Sequence, residues 1–240
     1  MEENARQRAE QFLNLYRVLE GLLEKRYAGK RTSSGSVVME YLHDADSLPC
    51  RADLDMCREI RNLLSHNADE DGMPVIEPSE AVVRLLGDIV EYVRRPRLAV
   101  DCGTRRDDIT FAHPNDNALD LARHMLRMGY SHVPVRDRNG FVGVFSTASL
   151  MHYAADVGFD ALDDGLKVGD LKGYLDVRDD RDERYAFLGP EATLPAVRAA
   201  FEAPRERNHR LAVVFITEDG TPGTRILAML TPWDIIKGGE

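Results

Sequence analysis

Arg61, Asn62 and His66 are grouped in the stretch EIRNLLSHNAD, residues 59–69, at the end of a predicted helix. Histidine titrates close to neutral pH, which makes it the side chain best suited to proton transfer. Arginine offers a planar, permanently charged group that suits a phosphate. Asn62 precedes His66 by one helical turn, so the two side chains share a face. The three residue types are therefore candidates for acid–base chemistry on an anionic substrate.

The same residues also have a purely structural interpretation. Arg61 follows Leu54 by seven residues and Cys57 by four, which places it on the apolar stripe of its predicted helix. There its aliphatic stem can pack against a neighbouring helix. His66 falls in the last turn, where a cation interacts favourably with the helix dipole. The residues alone leave catalysis and packing open.

The amino-acid composition limits which classes of protein the chain can belong to. The chain has 240 residues, of which 43% are hydrophobic and 30% charged, enough for one large or two modest domains. Its net charge of −10 opposes bulk attraction to nucleic acid, so any RNA contact requires a local basic cleft. The three cysteines form no CxxC pair and no zinc-ligand spacing with histidine, so we expect no metal. A polar N-terminus and short apolar runs predict a cytoplasmic protein without membrane contact.

The first 95 residues have a helical pattern. Apolar residues recur with a 3.6-residue period in four segments, the third of which runs from about Arg51 to His66. Gly29 is predicted to stop the first helix, and Ser33 and Ser34 to cap the second. The fourth is predicted to open at Pro78 and Ser79. Short connections favour an antiparallel four-helix bundle.

After the segment RRPRLAVDCGTRRDD the pattern changes to short β-type runs alternating with helices, and this pattern occurs twice. The runs ITFA, HVPVRD and FVGVFS are followed later by YAFLG, LAVVFITEDG and RILAMLT. Pro114 corresponds to Pro190, and Ser146 to Thr231. Each copy is predicted as strand, helix, strand, turn, strand and helix, with tight turns at DRNG and TEDG.

The segment GYSHVPVRDRNGFVGVFSTASL resembles the core of a CBS domain, and the resemblance extends over roughly residues 100–238 as a tandem pair. In that family the third strand enters the second helix through Gly-φ-φ-Thr/Ser-x-x-Asp, where φ is apolar. The resemblance implies that the hydroxyl faces a phosphate or ribose of an adenine nucleotide, and that the aspartate binds the ribose hydroxyls. A carboxylate can accept both hydroxyls of the diol, and a phosphate is stabilised at a helix N-terminus.

On this resemblance the second copy, AMLTPWD, carries a complete pair in Thr231 and Asp234. The first copy, GVFSTAS, has Ser146 but places Ser149 where the aspartate is expected. We therefore expect one competent nucleotide site and one weakened or empty site. Thr231 and Asp234 also suit simple capping of a helix that begins with proline, so a structural role remains open.

The position of Arg-polar-x-x-x-His on the third of four helices resembles the signature of HEPN domains, over roughly residues 5–95. Many HEPN domains dimerise and cut RNA without metal, through attack of a 2′-hydroxyl on the adjacent phosphodiester. The resemblance implies that Arg61 holds the phosphate, His66 acts as acid or base, and Asn62 positions the imidazole. Two subunits would supply these residues to one cleft.

These observations predict an α+β chain in which a four-helix HEPN-like bundle precedes a CBS pair. The expected domains are residues 1–95, a linker at 96–107, a first CBS repeat at 108–156, and an inter-repeat segment with the second repeat at 157–238. The expected function is a homodimeric sensor of AMP, ADP or ATP that controls a metal-independent ribonuclease, with RNA as a candidate partner. One alternative is a non-catalytic scaffold that recruits a partner protein. Another is a constitutive ribonuclease in which the CBS pair only supports the dimer.

Overall fold

The computed structural model describes residues 2–28, 35–66, 76–178, 183–203 and 209–237. The chain divides into two compact units, residues 1–96 and residues 97–240. Within the described ranges, none of the helices combines the length and the apolar character that a membrane crossing requires.

The first unit is helical. Its helices are α1 (Glu2–Arg26), α2 (Val37–His43), α3 (Arg51–His66) and α4 (Glu80–Arg94). The apolar stripes seen in the sequence meet in one core that includes Phe12, Leu19, Tyr41, Leu54 and Leu86, each no more than 1% exposed. The bounds of α3 agree with the sequence pattern. The apolar period therefore located these helices because each must bury one face.

Two of the predicted helix ends can be compared with the structure. The side chain of Ser79 accepts a hydrogen bond from the backbone N–H of Val82 at 3.3 Å, which confirms Ser79 as the N-cap of α4. The predicted stop at Gly29 and the predicted caps Ser33 and Ser34 fall in a stretch that the structure does not describe. The residue preceding α2 is Ser36.

The second unit combines strands and helices. Its strands are β1 (Thr104–Arg105), β2 (His132–Asp137), β3 (Gly140–Ser146), β4 (Glu183–Leu188), β5 (Arg210–Thr217) and β6 (Ile226–Leu230). Its helices are α5 (Ala118–Met128), α6 (Thr147–Val157), α7 (Leu194–Glu202) and α8 (Pro232–Lys237). β2 and β3 form an antiparallel hairpin. The other strands form a sheet in the order β1-β6-β5-β4, in which only β4 and β5 are parallel.

The predicted repeat is visible in this order of elements, with one difference. The run ITFA was expected to be a strand, but only Ala112 pairs there, in an isolated bridge to Val135. A 3₁₀ turn that ends at Asp108 precedes this run directly. The segment containing TEDG is a longer connection than DRNG, as the extra residues of ITEDGTPGTR predicted, and in it Asp219 accepts hydrogen bonds from Thr221 and Thr224.

The segment expected to be a linker, residues 96–107, pairs with the four-stranded sheet and the residues beside it. Leu98 forms a bridge with Thr193, and β1 pairs with β6 through Thr104 and Met229. The backbone N–H of Ala99 donates to the carbonyl of Ala192 at 2.8 Å. These backbone bonds were invisible to sequence analysis because their partners lie about a hundred residues later in the chain.

Gly143 on β3 is required by a close approach of two backbones. A Cβ atom at this position would lie 2.0 Å from the carbonyl oxygen of Leu175, and the neighbouring Val144 N–H donates to that same oxygen at 2.9 Å. The segment that follows the 3₁₀ helix at 168–174 can therefore reach β3 only because residue 143 has no side chain.

We expect Gly143→Ala to lower the free energy of unfolding by about 1–3 kcal/mol, since the added methyl overpacks against backbone atoms that cannot rotate away. Gly173→Ala is the matched control, because nothing lies within 4 Å of the Cβ it would add. Urea unfolding followed by circular dichroism measures both variants. Equal stability of the two variants would contradict the expectation.

Candidate functional site

Two equivalent strand-to-helix junctions carry the residues singled out by the sequence. At the first, Ser149 Oγ accepts from the backbone N–H of Ser146 at 2.9 Å and donates to the carbonyl of Ser146 at 2.8 Å. At the second, Asp234 Oδ2 accepts from the backbone N–H of Thr231 at 2.7 Å and from its hydroxyl at 2.8 Å. Ser149 and Asp234 thus hold the start of α6 and α8 in the same way. At the second junction the Asp234 carboxylate caps the backbone N–H of Thr231, and the Thr231 hydroxyl donates to the same carboxylate.

A cleft opens beside the first junction. Its polar lining is formed by Ser146, Ser149, His152, Tyr174, Asp176 and Glu183. These residues come from both sequence copies, since Ser146 ends β3 whereas Glu183 begins β4. The cleft therefore belongs to the junction that the sequence predicted to be the weaker one.

Glu183 is the most strongly held acid of this cleft. Its side chain is only 8% exposed. Oε2 of Glu183 lies 3.1 Å from Nε2 of His132, and Oε1 accepts a hydrogen bond from Arg210 at 2.9 Å. The hydroxyl of Tyr185 donates to Oε2 at 3.3 Å. Burial alone raises the pKa of Glu183, but the hydrogen bond and charge of His132, followed by Arg210 and Ser146, lower it to about 2. The carboxylate is thus ionised and fully engaged.

This network predicts an acid-sensitive contribution to stability. The pKa of Glu183 falls from its ordinary value of 4.5 to about 2 on folding, so the stabilisation is complete above pH 4.5 and is lost as the pH falls towards 2. We expect the stability advantage of the native chain over Glu183→Gln to shrink by about 2–3 kcal/mol across that interval. Urea unfolding at a series of pH values measures it. Glu202→Gln, an exposed change on α7, is the control; an advantage that does not vary with pH would contradict the prediction.

Arg61 and Asn62 lie in a groove of the first unit, formed by α1, α3 and the residues that precede and begin α2. The charged and hydroxylic lining of the groove includes Tyr16, Glu20, Glu24, Arg58 and Arg61. Arg61 is 33% exposed; its Nη2 lies 3.6 Å from Oε1 of Glu20, and its Cζ lies 5.7 Å from the centre of the Tyr16 ring. Burial and then the charge of Glu20 raise the pKa of Tyr16 to about 12, although Arg61 opposes the rise. The phenol is therefore protonated at neutral pH.

His66 is the last residue of α3, but its imidazole lies beyond what the structure describes. The structure thus places two of the three predicted residues, Arg61 and Asn62, beside one groove. Across the described residues, no three His, Cys, Asp or Glu side chains are arranged to hold a metal ion.

A family model matches the first copy of the repeat, residues 103–156, which contain the hairpin, α5, α6 and the Ser146 junction. These residues form a CBS domain. Solved structures similar to the chain include CBSX2 in complex with AMP, with 17% sequence identity and a TM-score of 0.41. The match covers 59% of this chain and 95% of the CBSX2 chain. Another is CbpB in complex with c-di-AMP, at 15% identity, 63% and 89% coverage, and a TM-score of 0.43.

A third similar structure is a hemolysin-like protein containing a CBS domain from Oenococcus oeni, at 17% identity, 61% and 93% coverage, and a TM-score of 0.40. No curated protein matches the chain. The family match at residues 103–156 confirms the CBS resemblance inferred from GYSHVPVRDRNGFVGVFSTASL for the first copy.

Sequence analysis missed Glu183 and His132, which connect the CBS domain to the following β4. The two residues are 51 positions apart, and no local pattern relates them. The available signal was a charged residue two positions before YAFLG, a run with the pattern of a strand. A buried charge needs a partner, so Glu183 implied a cation that the sequence alone could not identify.

Proposed function

We propose that the chain is a regulatory protein whose second unit binds an adenine nucleotide. The observation that carries the proposal is the CBS domain at residues 103–156. The backbone N–H at its strand-to-helix junction donates to the side chain three residues later, and the same bond recurs between Thr231 and Asp234. A nucleotide fits such a junction because hydroxyl and carboxylate groups bind ribose while the helix start stabilises a phosphate.

Thr231 and Asp234 are our proposed principal site, with Ser146 contributing to the weaker one. The hydrogen bonds of the Asp234 side chain within the described residues run through Oδ2, so Oδ1 is available for a ribose hydroxyl. In the Ser146 cleft, by contrast, the two carboxylate oxygens of Glu183 are already bonded by His132 and Arg210. That difference supports one strong site rather than two equal sites.

Calorimetric titration of the whole chain with AMP, ADP and ATP tests the proposal. We expect one of them to bind with a stoichiometry close to one per chain. Two sites of equal affinity would contradict the assignment of Asp234 as the deciding residue. Absence of binding by all three nucleotides would remove the proposal altogether.

The first unit is our proposed effector, a homodimeric, metal-independent ribonuclease of HEPN type in which Arg61, Asn62 and His66 act on RNA. The groove beside Arg61 and Asn62 supports this role, because a partly exposed guanidinium is accessible to a phosphodiester. If nucleotide changes RNA affinity, RNA must change nucleotide affinity by the same factor. Light scattering at micromolar concentration is expected to give a dimer, and a monomer would exclude an active site shared by two subunits.

A second candidate function, a non-catalytic scaffold, is favoured by one specific contact. Arg61 lies over the ring of Tyr16 and beside Glu20, so it can serve to join α3 to α1 without touching any substrate. A scaffold would retain nucleotide binding and dimerisation but would cut no RNA. Cleavage assays therefore separate the two functions.

A further inference from the structure

A groove on the CBS domain lies away from the Ser146 junction. It is lined by His113, Pro114 and Asn115 and by the turn residues Arg136, Asp137, Arg138 and Asn139. Ser146 pairs with His132 at one end of the hairpin, whereas Asp137 pairs with Gly140 at the other. Asp137 lies five steps along β2 from His132, a distance of about 16 Å in an extended strand. The groove therefore lies at the opposite end of the hairpin from the Ser146 junction.

One arginine of this groove, Arg136, stacks on an aromatic ring. The guanidinium of Arg136 lies 4.6 Å from the centre of the Phe111 ring. Stacking on an aromatic face fixes the plane of a guanidinium while leaving its N–H groups free to donate. His113 is held in place because its Nδ1 lies 3.0 Å from the carbonyl of Arg136.

Arg136 and Arg138 are unusual in this acidic chain. Acidic residues outnumber Lys and Arg by 41 to 31, and several other arginines, such as Arg105 and Arg123, form ion pairs with carboxylates. Within the described residues, neither Arg136 nor Arg138 forms an ion pair. The only carboxylate of the groove, Asp137, uses Oδ1 to accept from the backbone N–H of Asn139 at 2.7 Å. The groove lining thus contains two arginines and one aspartate, and Asp116 accepts from the backbone N–H of His113 beside it.

We propose that this groove binds a phosphate group of a small molecule. Two arginine forks supply the planar donors that phosphate oxygens bind best, and the amides of Asn115 and Asn139 can add further donors. A small ligand is favoured over a polyanion because the groove is confined to seven residues and the net charge of −10 repels an extended nucleic acid. The site is independent of the proposed role of Asp234.

Titration calorimetry with inorganic pyrophosphate at low ionic strength tests this inference. We expect the native chain to bind pyrophosphate and Arg138→Gln to bind it at least about fivefold more weakly, since a charged hydrogen-bond donor is lost. Arg138 is exposed and forms no described contact, so its replacement leaves the fold intact. Arg127→Gln, which removes an equally exposed arginine from the last turn of α5, is expected to bind like the native chain.

Arg136→Lys provides a second variant, which retains the charge but loses the planar fork, and it too is expected to bind more weakly. Unchanged binding in Arg138→Gln, or no binding by the native chain, would overturn the inference. A short single-stranded RNA that binds more tightly than pyrophosphate, with the same dependence on Arg138, would overturn the choice of a small ligand. Nucleotide affinity in Arg138→Gln is expected to be unchanged, which separates this test from that of Asp234.

Discussion

His66→Ala is expected to lower RNA cleavage in EDTA by about 100- to 10,000-fold, the contribution typical of a general acid or base. Within the proposed motif, histidine is the residue type whose ordinary pKa lies nearest neutral pH. The product is expected to end in a 2′,3′-cyclic phosphate, because the attacking group is the adjacent 2′-hydroxyl. RNA in which the 2′-hydroxyls are methylated is therefore expected to remain intact.

His43→Ala provides the matched control, because His43 is an exposed histidine at the end of another helix of the same unit. It is expected to cut RNA like the native chain. Position 66 ends α3 rather than lying in its middle, so His66→Ala is expected to keep the fold and the nucleotide affinity. A native chain that cuts nothing, or a His66→Ala variant that cuts equally well, would decide for the scaffold.

Arg61→Ala is a less specific test of the same groove. Its guanidinium contacts Tyr16 and Glu20, so truncation removes packing between α3 and α1 together with any substrate contact. Arg61→Lys retains the charge and much of the stem but loses the fork. A loss of cleavage in Arg61→Lys at unchanged stability would therefore point to phosphate binding.

Asp234→Ala is expected to weaken adenine-nucleotide binding about ten- to hundredfold, because it removes a charged hydrogen-bond acceptor from the ribose hydroxyls. Asp234→Asn is expected to fall between the native chain and the alanine variant, since an amide oxygen can still accept but carries no charge. Calorimetry measures all three proteins under the same conditions.

The controls for Asp234 separate binding from capping. Asp234 also holds the start of α8 through Thr231, so its removal destabilises that helix. Asp120→Ala removes an aspartate from the first turn of α5, where no nucleotide is expected, and should leave affinity unchanged. Equal affinity of the native chain and Asp234→Ala would show that Asp234 only caps α8.

The sequence determined the features that depend on local spacing. The 3.6-residue period located α3, and the sequence identified Ser79 as a cap, because helix faces and N-caps are encoded within a few residues. The first CBS domain was also recognisable, since its strand, turn and junction fall within GYSHVPVRDRNGFVGVFSTASL. Arg61 and Asn62 lie side by side because they are adjacent in the chain, and no tertiary contact is needed to bring them together.

The tertiary structure determined the contacts between segments that are far apart in the sequence. The cleft at Ser146 acquires its buried carboxylate from Glu183 of the following strand, and His132 and Arg210 then hold that carboxylate in its charged form. Leu175 can approach β3 only because residue 143 is glycine. Arg136 stacks on the ring of Phe111 only once the hairpin has folded. The environment of an ionisable group depends on the burial and charges that surround it, and these come from residues far apart in sequence.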